Sequence, residues 1–358
     1  MSTIARVASL AGVGVGTVSR VLNDSGSVSA STRARVLEAI AELEYEPSAA
    51  ARALSTGRTL SIGVVAPFFT ESSVVERLRG VTRRLSGAGY QVVLFDIEQP
   101  AQGDAILRSL TASRRVDGLL VVSLPPSPEQ LARLEAAGMP VVLVDRRVDG
   151  VASVSTDDVA GGRMATEHLL ALGHRRIAFL GDDEQSPFGF TSSRLRRQGF
   201  EEALGDAGLA PEPQLMRTAP HRRDAARQLA HELLRLPAPP TAVFAASDHQ
   251  ALGVLEAAES AGVPVPERLS VIGYDDVEVA RYAGLSTIAQ PLEASGARGA
   301  ELLLGALAGT PPRGEELRLE LRIRDTTGPA PGGGTYVQES PSMRTPLLNG
   351  MMRESEPV

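Results

Sequence analysis

Neither cysteine nor lysine occurs in the 358 residues. Without cysteine the chain can form no disulfide framework and no thiolate metal site. Without lysine it can hold no phosphate-binding P-loop, no Schiff base and no lysine general base, so every fixed cationic side chain is arginine. The five histidines, at 168, 174, 221, 231 and 249, show no close metal-ligand spacing of the H-E-x-x-H kind, and no G-x-S-x-G elbow presents a serine nucleophile. Ser247-Asp248-His249 has the letters of a triad, but adjacent side chains point apart and cannot relay a proton in line. No apolar run is long enough to span a membrane, and no charged-then-apolar export signal opens the chain. A soluble, cytoplasmic, non-enzymatic protein is expected, with no metal, no cofactor and no membrane partner.

What is present is ordinary globular composition, 43% apolar and 22% charged, in a chain long enough for more than one domain. The net charge of −7 argues against wholesale coating of nucleic acid. Residues 1–58 differ: Arg6, Arg20, Arg33, Arg35, Arg52 and Arg58 outnumber Asp24, Glu38, Glu42, Glu44 and Glu46. Within this weakly basic head, Ile4, Val7, Ala8 and Ala11 recur at helical spacing, Gly12 permits a tight corner, and Val18, Val21 and Leu22 resume the stripe. Residues 28–43 supply a third helix, with serine or threonine to cap it and Val36, Ile40 and Leu43 on one face. Two short helices joined by a glycine turn, closed by a third, have the layout of a helix-turn-helix DNA reader. Gly12, Gly14 and Gly16 are not a dinucleotide loop, because that loop must follow a buried strand and these follow an amphipathic helix.

From Leu60 onward the texture changes to buried apolar runs separated by helix-length segments: 62–65, 92–95, 118–122, 141–144, 177–180, 242–245 and 271–272. Continuous apolar strands alternating with helices indicate parallel sheets covered on both faces, with ligands beyond the carboxyl ends of the strands. Pro67-Phe68-Phe69, Asp145, Ser247-Asp248 and Tyr274-Asp275-Asp276 fall at those ends. Carboxylates beside aromatic rings suit a polyol or sugar, whose hydroxyls donate while its ring faces pack. Asp157 and Asp276 read better as a helix cap or strand-end turn than as ligand contacts.

Several stretches resemble one family. Thr3-Ile4, Ala11-Gly-Val13, Thr17-Val-Ser-Arg-Val-Leu-Asn23, Val28-Ser29, Thr32-Arg-Ala-Arg-Val-Leu37, Tyr45, Pro47, Ala51-Arg52 and Leu54 are similar to the DNA-binding head of the lactose/galactose repressor family. Val154-Ser-Thr-Asp157, Leu172-Gly-His-Arg-Arg-Ile177, Ser247-Asp248, Ser270-Val-Ile-Gly-Tyr-Asp-Asp276 and Gln290-Pro291 are similar to its effector domain, so the resemblance covers about residues 3–327. Arg6 stands where the family usually has Asp, Gly14 where it has Ser, Ser48 where it often has Asn, and Ser247 where it usually has Asn.

The resemblance implies an all-α helix-turn-helix head over 1–46, a hinge helix and linker over 47–59, and a periplasmic-binding-protein-like α/β domain of two lobes over 60–327. A disordered tail is expected over 328–358. It implies a homodimer on a palindromic double-stranded DNA operator, touched by Arg6, Val15, Gly16, Thr17, Arg20, Asn23, Arg33, Ala51 and Leu54. Val15 is expected to meet a thymine methyl, Arg20 to carry polar readout and Leu54 to wedge into the minor groove. A sugar or nucleoside effector is expected to meet Asp145, Arg196, Asp248, Tyr274 and Asp275 between walls of Phe68, Phe69 and Phe190. Its binding would change the angle between the lobes and hence the spacing of the hinges. The competing reading is a sugar-binding protein or sugar-processing enzyme that shares only the sheet domain.

Overall fold

A computed structural model describes residues 3–22, 26–45, 58–113, 115–183 and 187–332. Asn23, Ala51, Leu54 and the expected hinge helix lie outside these described residues, as do 333–358.

The head consists of α1 (Ile4–Ala11), α2 (Val15–Leu22) and α3 (Ala30–Glu42). Gly12 ends α1 at φ 64°, a left-handed position that costs a glycine nothing, and α2 leaves with a bend of 103°. That angle suits a helix-turn-helix. Val7, Val18, Val21 and Val36 close its core, and the Ser29 hydroxyl caps α3 by accepting from the Thr32 amide at 3.3 Å.

The remaining described elements form two lobes, each a six-stranded sheet flanked by helices. The first lobe contains β1 (Ser61–Pro67), α4 (Ser72–Ser86), β2 (Gln91–Ile97), α5 (Pro100–Ser113), β3 (Gly118–Val122), α6 (Pro128–Ala136), β4 (Val141–Val144) and β5 (Ala152–Ser155). The chain then crosses to the second lobe: α7 (Asp158–Ala171), β6 (Ile177–Asp182), α8 (Ser192–Asp206), β7 (Met216–Ala219), α9 (Arg223–Leu234), β8 (Ala242–Ala245), α10 (Asp248–Ser260), β9 (Ser270–Asp275), α11 (Glu278–Tyr282) and β10 (Ser286–Ala289). It returns to the first lobe for α12 (Leu292–Leu307) and β11 (Gly314–Glu316), and crosses once more to place β12 (Glu320–Arg322). The sheet orders are β11-β5-β4-β3-β1-β2 and β12-β10-β9-β8-β6-β7, all pairs parallel except β10 with β12. Three crossovers therefore join the lobes.

The strand interiors read as continuous apolar runs because helices cover both faces, as β3, β8 and β9 show by complete burial. Helix pairs press together through glycine. A Cβ on Gly80 of α4 would lie 1.9 Å from the Glu293 carbonyl oxygen of α12, and one on Gly199 of α8 would lie 2.0 Å from the Val159 carbonyl oxygen of α7. At the opposite end of the first sheet from the strand carboxyl ends, the Asp117 carboxylate clamps the incoming chain, accepting from Thr59 N at 2.7 Å, Thr59 Oγ1 at 2.8 Å and Leu60 N at 3.0 Å.

The start of the expected tail needs correction. Gly328 and Ala330 are anchored to the second lobe: Gly328 N donates to Ser270 Oγ at 3.0 Å, and Ala330 N donates to the Leu172 carbonyl at 2.9 Å. Composition alone hides this, because the tail contributes only backbone N–H groups to these bonds.

Candidate functional site

Between the lobes, the carboxyl ends of both sheets face one another, and backbone strain gathers there. Phe68 follows β1 at φ 46°, Ser123 follows β3 at 57°, Asp145 follows β4 at 69°, and Asp275 ends β9 at 117°. Left-handed positions cost a non-glycine residue about 1–3 kcal/mol and persist where the surroundings enforce them, commonly at ligand sites. These positions place Asp145 and Asp275 at the carboxyl ends of their strands.

A chain of polar contacts crosses the cleft. The Ser123 hydroxyl donates to Asp145 at 2.7 Å, and Arg77 Nη2 of α4 pairs with the same carboxylate at 2.7 Å. Arg77 also reaches Gln290 Oε1 on the second crossover at 3.3 Å, while Gln290 Nε2 donates to Asp275 at 2.6 Å. In the second lobe, Arg196 of α8 forks between Asp158 at 2.8 Å and the Ala246 carbonyl at 2.6 Å, lies 3.8 Å from Asp275, and stacks 3.6 Å above the Tyr274 ring. Helix packing sets both arginines. A Cβ on Gly296 would meet the Arg77 carbonyl oxygen at 1.9 Å, and one on Gly162 would meet that of Arg196 at 2.1 Å.

Burial dominates the electrostatics. It pushes Asp158 and Asp275 above the usual carboxylate range, and the Arg196 guanidinium beside both only partly offsets this. Burial alone would lower Arg196, but Asp158, Tyr274 and Asp275 raise it overall. Among the described residues, three buried side-chain atoms lack a hydrogen-bond partner: Arg77 Nε, Arg146 Nε and the Tyr274 hydroxyl. Arg77 and Tyr274 belong to this polar array, and Arg146 follows Asp145 directly and reaches the Thr191 hydroxyl at the start of α8. Orphaned buried donors are rare and call for a cause.

An aromatic cluster borders the array. Phe68 meets Phe188 edge to face with centroids 5.2 Å apart, and Phe188 stacks on Phe190 at 5.3 Å. The loop after β6 thereby reaches the loop after β1. Phe69, next in sequence to Phe68, is exposed, its amide donating to Asp96 at 3.1 Å.

The structure thus brings Asp145, Arg196, Asp275, Phe68, Phe69 and Phe190 to the inter-lobe region. It does not bring Asp248 there. Both Asp248 oxygens face inward, accepting from the Thr287 hydroxyl at 2.6 Å and the Val277 amide at 3.0 Å, and burial raises this carboxyl well above its ordinary value. Tyr274 is likewise fully buried, with its ring beneath Arg196, where it supports the guanidinium. Asp157 caps α7 through the Ala160 amide at 2.9 Å, and Asp276 pairs with Arg324 at 2.6 Å. Sequence reasoning missed Arg77, Asp158 and the bridging role of Gln290. Only Gln290-Pro291 carried a signal, within the family resemblance. A polar groove of 540 Å³ runs past Glu76, Arg79, Glu278 and Tyr282; it shares Gln290 with the array but is lined by none of the expected effector contacts.

In the head, Arg6, Val15, Gly16 and Arg20 are exposed, and Thr17 and Arg33 are partly so. Val15 and Gly16 open α2, while Arg20 Nε donates back to the Gly16 carbonyl at 3.2 Å.

Residues 3–48 match the family described as bacterial regulatory proteins, lacI family, and residues 166–327 match the periplasmic binding protein-like domain. The HTH-type transcriptional regulator CelR of Thermobifida fusca is 36% identical over 337 residues, covering 90% of this chain and 98% of CelR. The chain belongs to the LacI family. It is a transcriptional regulator with a helix-turn-helix head and a periplasmic-binding-protein-like domain, of a family that is not enzymatic. Among solved structures, a complex of CelR with cellobiose superposes with a TM-score of 0.68 at 34% identity, covering 91% of this chain and 100% of that one. The lac repressor dimer bound to operator and the anti-inducer ONPF superposes at 0.81 with 30% identity, covering 91% and 99%.

Proposed function

We propose that this regulator binds a palindromic operator as a homodimer and is switched by a sugar seated between its lobes. The observation that carries the effector reading is the coincidence of orphaned buried donors with charged groups from both lobes. Arg77 Nε and Arg146 Nε sit unpaired beside Asp145, and Arg196 and Asp275 approach from the other side. A polyhydroxylated ligand supplies acceptors to the guanidinium groups and donors to the carboxylates, while the rings of Phe68 and Phe190 offer it an apolar face. Cellobiose, the ligand of the CelR complex, is of this chemical class.

Occupancy would act by population shift. The array spans the second crossover through Gln290, so a ligand touching both lobes biases their relative angle. The clamp of Thr59 and Leu60 on Asp117 ties the linker to the far end of the first sheet, and β1, with its 7 residues, spans the interval of about 20 Å. Two linkers side by side in a dimer would change spacing as the lobes turn. On DNA, Val15 and Arg20 are the base-reading candidates, Arg6, Thr17 and Arg33 meet phosphates, and Leu54 supplies the wedge.

The test is calorimetry with a panel of mono- and disaccharides, beside footprinting on an operator selected from random duplexes. A palindromic consensus and a sugar that alters the footprint are expected. Asp275→Ala should lose the sugar response and keep unliganded DNA binding. If no duplex is enriched, the operator reading falls. If Asp275→Ala responds like wild type, the site is misplaced.

A further inference from the structure

Glu71, His221 and His249 take no part in the array above, yet each offers one ligand atom and all three atoms lie within 4.8 Å of one another. They come from different lobes. Glu71 precedes α4 in the first, while His221 follows β7 and His249 lies in the first turn of α10 in the second. All three are partly exposed, so an ion can reach them from solvent.

The surrounding contacts prepare the two rings as ligands. His221 Nδ1 lies 2.8 Å from Asp182 Oδ1, and the same carboxylate oxygen is held by Gln250 Nε2 at 2.9 Å. A carboxylate accepting from one ring nitrogen orients the ring, as in the carboxylate–histidine–metal arrangement. His249 Nε2 lies 3.3 Å from the Ser72 hydroxyl, while its Nδ1 faces Glu71 Oε2 at 3.2 Å. His249 Nδ1 thus donates to the Glu71 oxygen, and an ion seated between these two atoms would displace that proton.

We propose that Glu71, His221 and His249 form a site for a divalent transition metal of the zinc class that joins the two lobes at the rim of the cleft. Two imidazole nitrogens and one carboxylate oxygen match the ligand set of a three-ligand zinc centre with a fourth position open to solvent. Ligands bonded at about 2.0–2.2 Å around a tetrahedral ion lie about 3.3–3.6 Å apart. The cluster, whose atoms lie within 4.8 Å of one another, therefore needs to contract by no more than about 1.5 Å. Because one ligand belongs to the first lobe and two to the second, metal binding favours the closed arrangement.

The test uses tag-free full-length protein stripped with a chelator, titrated with zinc chloride by calorimetry and with cobalt(II) by visible absorption. One ion per chain is expected, with the intense d–d bands of a four-coordinate cobalt centre. Glu71→Gln, His221→Gln and His249→Gln should each weaken binding at least tenfold, and His231→Gln should not. Asp182→Asn, which keeps all three ligands, should weaken it by about 10–100-fold, as loss of an orienting carboxylate does. Circular dichroism on each variant identifies any that fail to fold, and Asp182→Asn then carries the comparison. Absence of saturable binding to wild-type protein, or equal affinity in the folded variants, overturns the proposal. Neither readout involves DNA or sugar, so its failure is distinct from failure of the effector reading.

Discussion

Gly199→Ala offers a sharp test of how the second lobe holds its arginine. The added Cβ would lie 2.0 Å from the Val159 carbonyl oxygen and 2.7 Å from Arg163 N, both backbone atoms of α7, whereas ordinary contact begins near 3.4 Å. Relief requires the helices to separate locally by about 1.4 Å, and overpacking of this kind costs about 1–3 kcal/mol, occasionally more. For a unit of 150–250 residues each kcal/mol lowers Tm by about 2–4 °C, so a drop of about 2–12 °C is expected by differential scanning calorimetry. Gly205→Ala on the same helix is the control, since its Cβ meets nothing within 4 Å. There the gain in helix propensity predicts about 0.5–1 kcal/mol of stabilisation. Opposite signs from the same substitution on one helix are expected. Equal shifts, or no loss at Gly199, would refute backbone-to-backbone packing as what fixes Arg196.

Three further outcomes follow from the same geometry. Arg196→Met strands Asp158 as an uncompensated buried carboxylate and should cost about 3–5 kcal/mol in urea unfolding, whereas Arg196→Met with Asp158→Asn should recover part of it; a double variant no more stable than the single contradicts the pairing. Burial holds His174 below its ordinary value, only partly countered by the Gly328 carbonyl. The unfolded chain therefore binds the proton first, and the histidine's contribution is complete above about pH 6.5 and declines as pH falls below that; wild type should lose more stability than His174→Asn between pH 7.5 and 5.5, and parallel losses would exclude the effect. Leu54→Ala should weaken operator affinity in a gel-shift titration while both lobes melt unchanged, and unaltered affinity counts against the wedge.

The regular parts of this fold were legible because their signals are local. Val7, Val18 and Val36 lie at helical spacing in one small core, and runs such as 118–122 and 141–144 became β3 and β4 because only strands buried on both faces read that way. The short β5, β7, β10, β11 and β12 escaped, since strands of three or four mixed residues owe their pairing to neighbours rather than to pattern. The cleft was legible where a residue directly follows an apolar strand, as Asp145 does. Arg77 and Asp158 were hidden because they lie on helices, where charged residues are ordinary, and only tertiary packing turns them inward. The same limit misassigned Asp248, whose position past β8 suits a ligand contact but whose oxygens satisfy Thr287 and Val277.

The threefold passage of the chain between its halves bears on biosynthesis. The helix-turn-helix head, contiguous in sequence, can assemble as soon as it leaves the ribosome, but the first sheet lacks its covering helix Leu292–Leu307 and its edge strand Gly314–Glu316 until nearly all described residues have emerged. A premature stop between the start of the second lobe at Asp158 and Leu292 would therefore leave a complete head attached to two unfinished halves. Such a fragment would retain the elements for touching DNA without the apparatus that answers to a small molecule.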